Sequence, residues 1–235
     1  MAKKNKEISS SNLIKLKPIT EGQKSVFETW KKGQNQFLFG CAWTGKTFVS
    51  LYIAMQDVLD LKTKYDKVIL VRSLIPTREI GFLPGDEEDK AALYQVPYQN
   101  MVKFMFEQPN EQAFNMLYDR LKNQGSLYFL STSFLRGLTF DNSIIIVDEC
   151  QNLNFHELDT ITTRVGQDSK IVFCGDFSQT DLLKQNEKNG LHDFLRILME
   201  MQEFNCVEFN IGDIVRSGFV RNYLIQKTKL GMGME

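Results

Sequence analysis

Short apolar segments alternate along the chain with amphipathic stretches of helical spacing. Apolar runs that would be buried on both faces are typical of parallel strands covered by helices. The predicted strands span residues 36–39, 68–71, 127–131, 143–147, 170–174 and 206–209. The predicted helices begin near Glu21, Lys46, Tyr98, Glu111, Asn154, Asn189 and Ser217. The pattern therefore predicts an α/β fold with a mostly parallel central sheet and helices on both faces.

Two segments depart from this alternation. Residues 74–97 contain three prolines, two glycines and the acidic run Asp86-Glu87-Glu88-Asp89, which together predict an irregular segment. Such a segment is either a functional loop or a solvated surface loop, and the acidic run alone favours the second. Residues 1–12 carry lysines with no apolar centre behind them, so they predict a flexible tail. A single domain is expected over residues 13–235.

Composition narrows the class of protein. The chain has 235 residues, enough for one α/β domain with a large core, and no apolar run long enough to span a bilayer. The formal net charge is −1, so any nucleic-acid contact must come from a local basic surface. No two of its four cysteines have C-x-x-C spacing, which indicates buried thiols in a reducing cytoplasm.

A glycine-rich loop follows the first predicted strand. It reads Gly40-Cys41-Ala42-Trp43-Thr44-Gly45-Lys46-Thr47 and matches the pattern G-x-x-x-x-G-K-S/T between a strand and a helix. Such a loop directs backbone N–H groups at phosphate oxygens, next to the positive end of the helix dipole. Lys46 would reach the β- and γ-phosphates, and the Thr47 hydroxyl would bind Mg²⁺. An ordinary strand-to-helix turn is the alternative, and the flanking strand and helix disfavour it.

Two carboxylates end the predicted strand at 143–147. Asp148 would lie at the edge of the sheet near the loop and hold Mg²⁺, directly or through water. Glu149 would orient or deprotonate an attacking water. A solvated acidic turn is the alternative for these two residues alone, but the phosphate loop upstream favours a metal and hydrolysis site.

A further polar cluster, Gly175-Asp176-Phe177-Ser178-Gln179, follows the strand predicted at 170–174. The Gln179 amide can donate to a phosphate oxygen and accept from water at once, which suits a γ-phosphate sensor. The alternative is a β-turn rich in Gly, Asp and Ser.

In this order and spacing, the phosphate loop, Val-Asp-Glu-Cys-Gln-Asn and Gly-Asp-Phe-Ser-Gln-Thr-Asp resemble the PhoH-like ATPases. Those are similar in turn to the first motor domain of superfamily 1 helicases. The resemblance covers roughly residues 16–229 and implies a RecA-like fold with ATP and Mg²⁺ as cofactors. It implies that Gln23 selects ATP over GTP. It also makes Arg216 a candidate arginine finger, on its own site or a neighbour's, although a surface ion pair is an equal reading of Arg216.

The loop departs from the family at two positions. Cys41 replaces the usual proline, and Trp43 stands where glycine is frequent. Neither change removes a residue that contacts phosphate, but Trp43 adds a bulky aromatic group beside the phosphates.

The resemblance also implies partners. It implies a homo-oligomeric ring, such as a hexamer, in the cytoplasm, and a small version of this kind resembles those of bacteriophages. Single-stranded RNA or DNA is the expected cargo, with Phe82 and Phe134 available for stacking. The alternative is that the arginines only pair with the acidic run or brace the loop. The candidate backbone contacts are Arg72, Ser73, Arg78, Thr132, Arg136 and Arg164.

Two function classes follow from these residues. The first is Mg²⁺-dependent ATP hydrolysis coupled to single-stranded nucleic acid. The second is a nucleotide-dependent oligomerising switch or binding module with slow hydrolysis. A small-molecule kinase is disfavoured, because the Asp-Glu pair and the Gly-Asp-x-x-Gln element suit an enzyme that activates water.

Overall fold

The centre of the molecule is a six-stranded sheet in the order β3-β2-β4-β5-β1-β6, and every neighbouring pair is parallel. The computed structural model describes residues 6–73, 87–132, 135, 137–176 and 190–230, without the side chains of 87–93 and 228. The predicted parallel sheet is confirmed. Its strands are β1 (Asn35–Gly40), β2 (Lys67–Arg72), β3 (Leu127–Ser131), β4 (Ser143–Val147), β5 (Lys170–Cys174) and β6 (Phe204–Phe209).

Helices connect the strands, and several begin at a side-chain cap. The Thr20 hydroxyl accepts from the backbone N–H of Gln23, and the Asn110 side chain accepts from that of Ala113. Asn154 forms a capping box, so its helix starts one residue later. The helices are α1 (Glu21–Lys31), α2 (Lys46–Leu59), α3 (Glu87–Phe106), α4 (Glu111–Asn123), α5 (Phe155–Thr162), α6 (Leu191–Glu200) and α7 (Gly218–Lys229).

Both faces of the sheet are covered, as β4 shows most clearly. Ile144 and Ile146 point to a cluster built with α1 to α4, whereas Ile145 and Val147 point to a cluster built with α5 and α6. Because strand side chains alternate between faces, a strand buried on both sides is apolar throughout. That is why the continuous apolar runs identified the strands.

The start of α3 differs from the prediction. The sequence predicts that the helix begins near Tyr98, after the segment 74–97 with its three prolines and two glycines. It begins instead at Glu87 and continues through Pro97. Acidic residues such as Glu87, Glu88 and Asp89 favour the first turn of a helix. In the prediction, the prolines and glycines near them counted for more than this signal. The predicted irregular segment is therefore wrong for residues 87–97, and its remainder lies outside the described residues.

The packed chain also begins earlier than the boundary at residue 12. Ile8 is buried in the core, and Ser10–Asn12 form a short 3₁₀ helix. The Lys6 ammonium donates to the carbonyls of Val58, at 2.6 Å, and Asp66, at 2.7 Å. Residues 6–12 therefore belong to the folded unit. No helix among the described residues is long and apolar enough to cross a membrane.

The strand order decides where the functional loops meet. β5 lies between β1 and β4, with Leu38 opposite Cys174 and Val147 opposite Phe173. The carboxyl ends of these three parallel strands therefore lie side by side. Open parallel sheets bind ligands at that edge, so the loops after β1, β4 and β5 frame the candidate site.

Candidate functional site

The loop after β1 requires glycine where it leaves the sheet. Gly40 has a φ of +114°, and a Cβ there would lie 2.1 Å from the Phe209 carbonyl oxygen. The next residue, Cys41, donates its backbone N–H to that oxygen at 2.8 Å. A side chain at position 40 would therefore break the contact that joins the loop to β6.

The remainder of the loop is held from within and from α1. The buried Thr44 hydroxyl donates to the Cys41 carbonyl at 3.0 Å. Gln23 donates from its amide nitrogen to the Thr44 carbonyl at 3.3 Å and accepts from the Ile19 backbone N–H at 3.0 Å. Both polar atoms of Gln23 therefore brace the loop and the segment before α1.

Lys46 projects from the first turn of α2 into this loop. Its ammonium donates to the Cys41 carbonyl at 2.6 Å and forms an ion pair with Asp176 Oδ1 at 2.7 Å. Asp176 follows β5, so the strand between β1 and β4 supplies the carboxylate. The lysine is buried and paired, and it lies where an incoming anion would compete with Asp176 for its charge.

Thr47 and Asp148 meet although 101 residues separate them. The Thr47 hydroxyl donates to Asp148 Oδ1 at 2.6 Å. A hydroxyl and a carboxylate are the hard oxygen ligands that Mg²⁺ takes from proteins, with water and phosphate oxygens completing its shell. The donor set therefore fits Mg²⁺, and these two side chains would hold it. Among the described residues, no group of three or more His, Cys, Asp or Glu side chains is arranged around a metal position.

Glu149 follows in a left-handed backbone conformation, with φ of +53°. Its carboxylate accepts from the Gln151 side-chain amide nitrogen at 2.6 Å, and Gln151 Oε1 accepts from the Asp176 backbone N–H at 3.1 Å. Burial, with the negative charges of Asp148 and Asp176, raises the pKa of the Glu149 carboxyl above its ordinary value. A half-buried carboxylate of raised pKa is a stronger base than an exposed one.

Asp148 has a second partner on α3. The Tyr98 hydroxyl donates to Asp148 Oδ2 at 2.6 Å, and the positive charge of Arg72 acts on both Tyr98 and Asp148. Burial, followed by the charge of Asp148, raises the pKa of Tyr98, so its hydroxyl keeps the proton that it donates. Each oxygen of the Asp148 carboxylate therefore has a protein donor.

Trp43 and Arg216 form the rim of the site. The Arg216 guanidinium lies over the Trp43 ring, 4.7 Å from its centroid, and the Val215 N–H donates to the Trp43 carbonyl at 3.1 Å. The buried Asp213 carboxylate accepts from the Gly22 N–H at 2.9 Å. The segment after β6 is thus tied both to the phosphate loop and to α1.

These groups open into one cavity of about 790 Å³. One end is polar and holds Lys46, Thr47 and both carboxylates of the Asp-Glu pair. The other end is mostly apolar, because α3 and the segment before α1 contribute aliphatic and aromatic side chains. These two segments contribute Leu16, Ile19, Pro97, Met101 and Phe104, and α2 adds Phe48. A polar end beside an apolar slot suits a phosphate group joined to a flat ring system.

Comparison with known proteins identifies the family. A model of the family described as "PhoH-like protein" matches residues 15–226. The chain belongs to the PhoH-like family. It is 31% identical over 200 residues to a PhoH-like protein of Synechocystis, covering 85% of this chain and 58% of that protein. It is 30% identical over 206 residues to protein PhoH of Escherichia coli, covering 87% of this chain and 56% of that one.

A solved structure supports the fold of this PhoH-like chain. The large terminase of a thermophilic bacteriophage superposes with a TM-score of 0.52 at 12% identity, covering 90% of this chain and 50% of the terminase. At that identity the likeness concerns the fold alone. Together with the strand order, it gives the chain a RecA-like P-loop fold, as predicted. The chain spans less than two thirds of the length of these curated relatives.

The PhoH-like site gathers most of the residues that the sequence singled out. Four residues of the loop line the cavity together with Asp148 and Glu149, and so do Gln23 and Arg216. The four are Trp43, Gly45, Lys46 and Thr47. Gln179 lies outside the described residues, so its sensor role stays a prediction.

The predicted nucleic-acid residues are dispersed. Arg72 turns toward Tyr98 and the acidic pair, and Ser73 is buried. Arg164 lies at the opposite edge of the sheet, where it donates to the Leu138 carbonyl at 3.5 Å. Thr132 is half-buried just after β3. Arg78, Phe82, Phe134 and Arg136 lie outside the described residues.

Sequence reasoning assigned no role to Asp176 or Tyr98. Asp176 was visible only as part of a polar cluster after β5. Tyr98 lies 50 residues before Asp148 in a segment with no recognisable motif. Only the packing of α3 against the sheet brings the Tyr98 hydroxyl to the carboxylate.

Proposed function

We propose that this PhoH-like chain binds ATP with Mg²⁺ and hydrolyses it, and that hydrolysis is coupled to binding or remodelling of single-stranded RNA or DNA. The observation that carries the proposal is the 2.6 Å contact between Thr47 and Asp148, beside Lys46 and Glu149. Three separate strand ends supply these groups and the Asp176 partner of Lys46, and the groups match the requirements of phosphoryl transfer to water.

The side chains divide the work. Lys46 leaves Asp176 and neutralises charge on the β- and γ-phosphates, while the loop N–H groups bind phosphate oxygens. Glu149, held by Gln151, orients the attacking water and accepts its proton. Mg²⁺ held by Thr47 and Asp148 supplies positive charge to the phosphate oxygens. Arg216 adds positive charge at the rim, in its own site or a neighbour's.

The base would occupy the apolar end of the cavity. Ile19 and Phe104 are exposed there and offer flat contact to a purine. Gln23 lies close by, but its amide is bonded at both ends. If Gln23 selects adenine, it does so through its second amide N–H and the second lone pair of its oxygen. Otherwise its bond to Thr44 or to Ile19 has to be replaced by a bond to the base.

Coupling to nucleic acid rests on the resemblance to helicase motor domains and on the polar residues that follow β2 and β3. Arg72, Ser73 and Thr132 lie at the same edge of the sheet as the phosphate loop. A strand bound there would lie next to the Asp-Glu pair. We also propose a homo-oligomeric ring, such as a hexamer, working in the cytoplasm.

One observation favours a second candidate, a nucleotide-dependent switch with slow hydrolysis. The Lys46–Asp176 ion pair, at 2.7 Å, joins the phosphate loop to β5 and must open when a phosphate takes the lysine. Nucleotide binding would then convert the loop from a state with this ion pair closed to a state with it open, and no turnover is required.

The rate of phosphate release from ATP separates these candidates. We expect Mg²⁺-dependent turnover that single-stranded RNA or DNA increases, and loss of turnover in Lys46→Met. A slow rate that no nucleic acid changes, together with a nucleotide-dependent oligomer size, would support the switch. Undiminished hydrolysis by Lys46→Met would contradict both.

A further inference from the structure

The carboxylate of Asp148 is held at both oxygens inside the protein. Thr47 donates to Oδ1 at 2.6 Å, and Tyr98 donates to Oδ2 at 2.6 Å. Asp148 is 7% exposed and Tyr98 is 2% exposed. Water therefore has little access to Oδ2, and the tyrosine hydroxyl satisfies that oxygen in its place.

Arg72 lies at the end of β2, and its guanidinium interacts electrostatically with the Tyr98 phenol and with Asp148. The backbone is fixed at the same place, because the Asp148 N–H donates to the Val71 carbonyl at 2.9 Å. Tyr98 donates to Asp148, and Arg72 lies within electrostatic reach of both, so the three residues make a candidate donor chain from the end of β2 to the candidate metal ligand.

We propose that Tyr98 is a positioning residue for the metal ligand. By holding Oδ2, it fixes the rotation of the Asp148 carboxylate and presents Oδ1 to Thr47 and to Mg²⁺. Arg72 acts indirectly, by orienting the Tyr98 hydroxyl. This inference rests on the proposed Mg²⁺-nucleotide site. Partners that orient a metal ligand typically change metal affinity or activity by about 10- to 100-fold.

Tyr98→Phe removes the hydroxyl and keeps the ring, and Tyr52→Phe is its matched control. Tyr52 is also buried, at 1% exposed; its hydroxyl donates to the Ile14 carbonyl at 2.7 Å and accepts from the Leu16 N–H at 3.0 Å, without contacting Asp148. Both variants lose one buried hydroxyl, so a purely structural role predicts similar changes in thermal unfolding. The decisive readout is the affinity for Mn²⁺, measured by electron paramagnetic resonance with a non-hydrolysable ATP analogue bound.

We expect Tyr98→Phe to bind Mn²⁺ about 10-fold more weakly than wild type, with the affinity of Tyr52→Phe unchanged. The Mg²⁺ concentration for half-maximal turnover should rise in parallel, while KM for ATP at saturating Mg²⁺ changes little. Equal Mn²⁺ affinities in the two variants would overturn the inference.

Arg72→Met gives a second test that leaves Tyr98 in place. It should weaken Mn²⁺ binding less than Tyr98→Phe does, because the hydroxyl remains but is no longer oriented. Wild-type affinity in both Arg72→Met and Tyr98→Phe would contradict the donor chain. If wild type itself binds no Mn²⁺ with the analogue, the proposed function fails, and that outcome is distinct from the failure of this inference alone.

Discussion

Two buried lysines occupy opposite ends of the central sheet, and their surroundings differ. Lys46 is 5% exposed, and its ammonium is paired with the Asp176 carboxylate at the edge of a cavity. Lys170 is 3% exposed at the start of β5, where it donates to the Trp30 carbonyl at 3.3 Å. Its ammonium lies 4.0 Å from the centroid of the Trp30 ring.

The difference distinguishes a lysine held for a ligand from a lysine held by the core. Lys46 has an anionic partner that another anion can replace, and a cavity from which that anion can arrive. Lys170 packs between aromatic rings, and burial lowers the pKa of its ammonium to about 8, although the negative charge of Asp57 opposes the shift. Burial alone therefore does not mark a functional charge; an exchangeable partner facing open space does.

Replacing each lysine by methionine should give the largest difference between the two ends of the sheet. Lys46→Met should lower turnover on the order of 100- to 1000-fold, because charge on the transferred phosphoryl group loses its fixed cation. Lys170→Met carries the same substitution at the other end of the sheet and should retain wild-type turnover. Steady-state phosphate release from both variants checks the contrast, and a similar loss in both would contradict it.

The carboxylates at the same end permit a second test. Glu149→Gln should lower turnover about 100-fold, since it removes a general base but keeps the side-chain volume. Because the pKa of Glu149 is raised by burial and by neighbouring charge, wild-type turnover should fall as the pH drops through that raised pKa. The turnover of Glu149→Gln should not show this fall at low pH. An unchanged pH–rate profile in Glu149→Gln would assign the proton transfer to another group.

At the other end of the sheet, the expected effect is on stability. The pKa of Lys170 is about 8 in the folded protein and 10.5 ordinarily, so between these values the unfolded chain binds more protons. The free energy of unfolding should therefore rise with pH across that window, and below pH 8 the cost of burying the ammonium is fully present.

Lys170→Met removes this cost. The variant should be more stable than wild type at pH 7, and its advantage should shrink by about 2 kcal/mol by about pH 10. Urea unfolding at the two pH values measures the difference in the free energy of unfolding between the variant and wild type. Groups that titrate in both proteins contribute equally and drop out of this difference. A constant difference would show that Lys170 keeps its ordinary pKa.

The smallest effect concerns the rim. An exposed cation–π contact stabilises by about 0.5–1 kcal/mol, so losing the Trp43 ring should change turnover or KM for ATP only about 2- to 5-fold. Trp43→Leu tests this, and Trp43→Phe is the control that keeps an aromatic face for Arg216. Equal losses in the two variants would mean that the ring does not position the guanidinium.

The sequence was most informative where local chemistry dictates structure. β4 was predicted with the bounds that it has, because both of its faces are buried. α1 and α4 begin at the predicted residues, and the structure shows that Thr20 and Asn110 cap them. The phosphate loop could be read because glycine at position 40 is a steric requirement. These features depend on residues close together in the chain.

Features that depend on packing escaped sequence reasoning. The acidic residues at the start of α3 were outweighed by the prolines and glycines around them, although the helix runs through Pro97. Nothing near Tyr98 pointed to Asp148. The Lys46–Asp176 pair arises only because β5 lies between β1 and β4. The strand order therefore had to be known before the partners of the motif residues could be named.

Binding of ATP in the presence of Mg²⁺ tests the central claim most directly, because it requires no turnover. Isothermal titration calorimetry should give wild type and Lys170→Met the same Kd, and Lys46→Met a Kd at least about 10-fold higher. Wild-type affinity in Lys46→Met would contradict the assignment of the loop after β1 as the phosphate site.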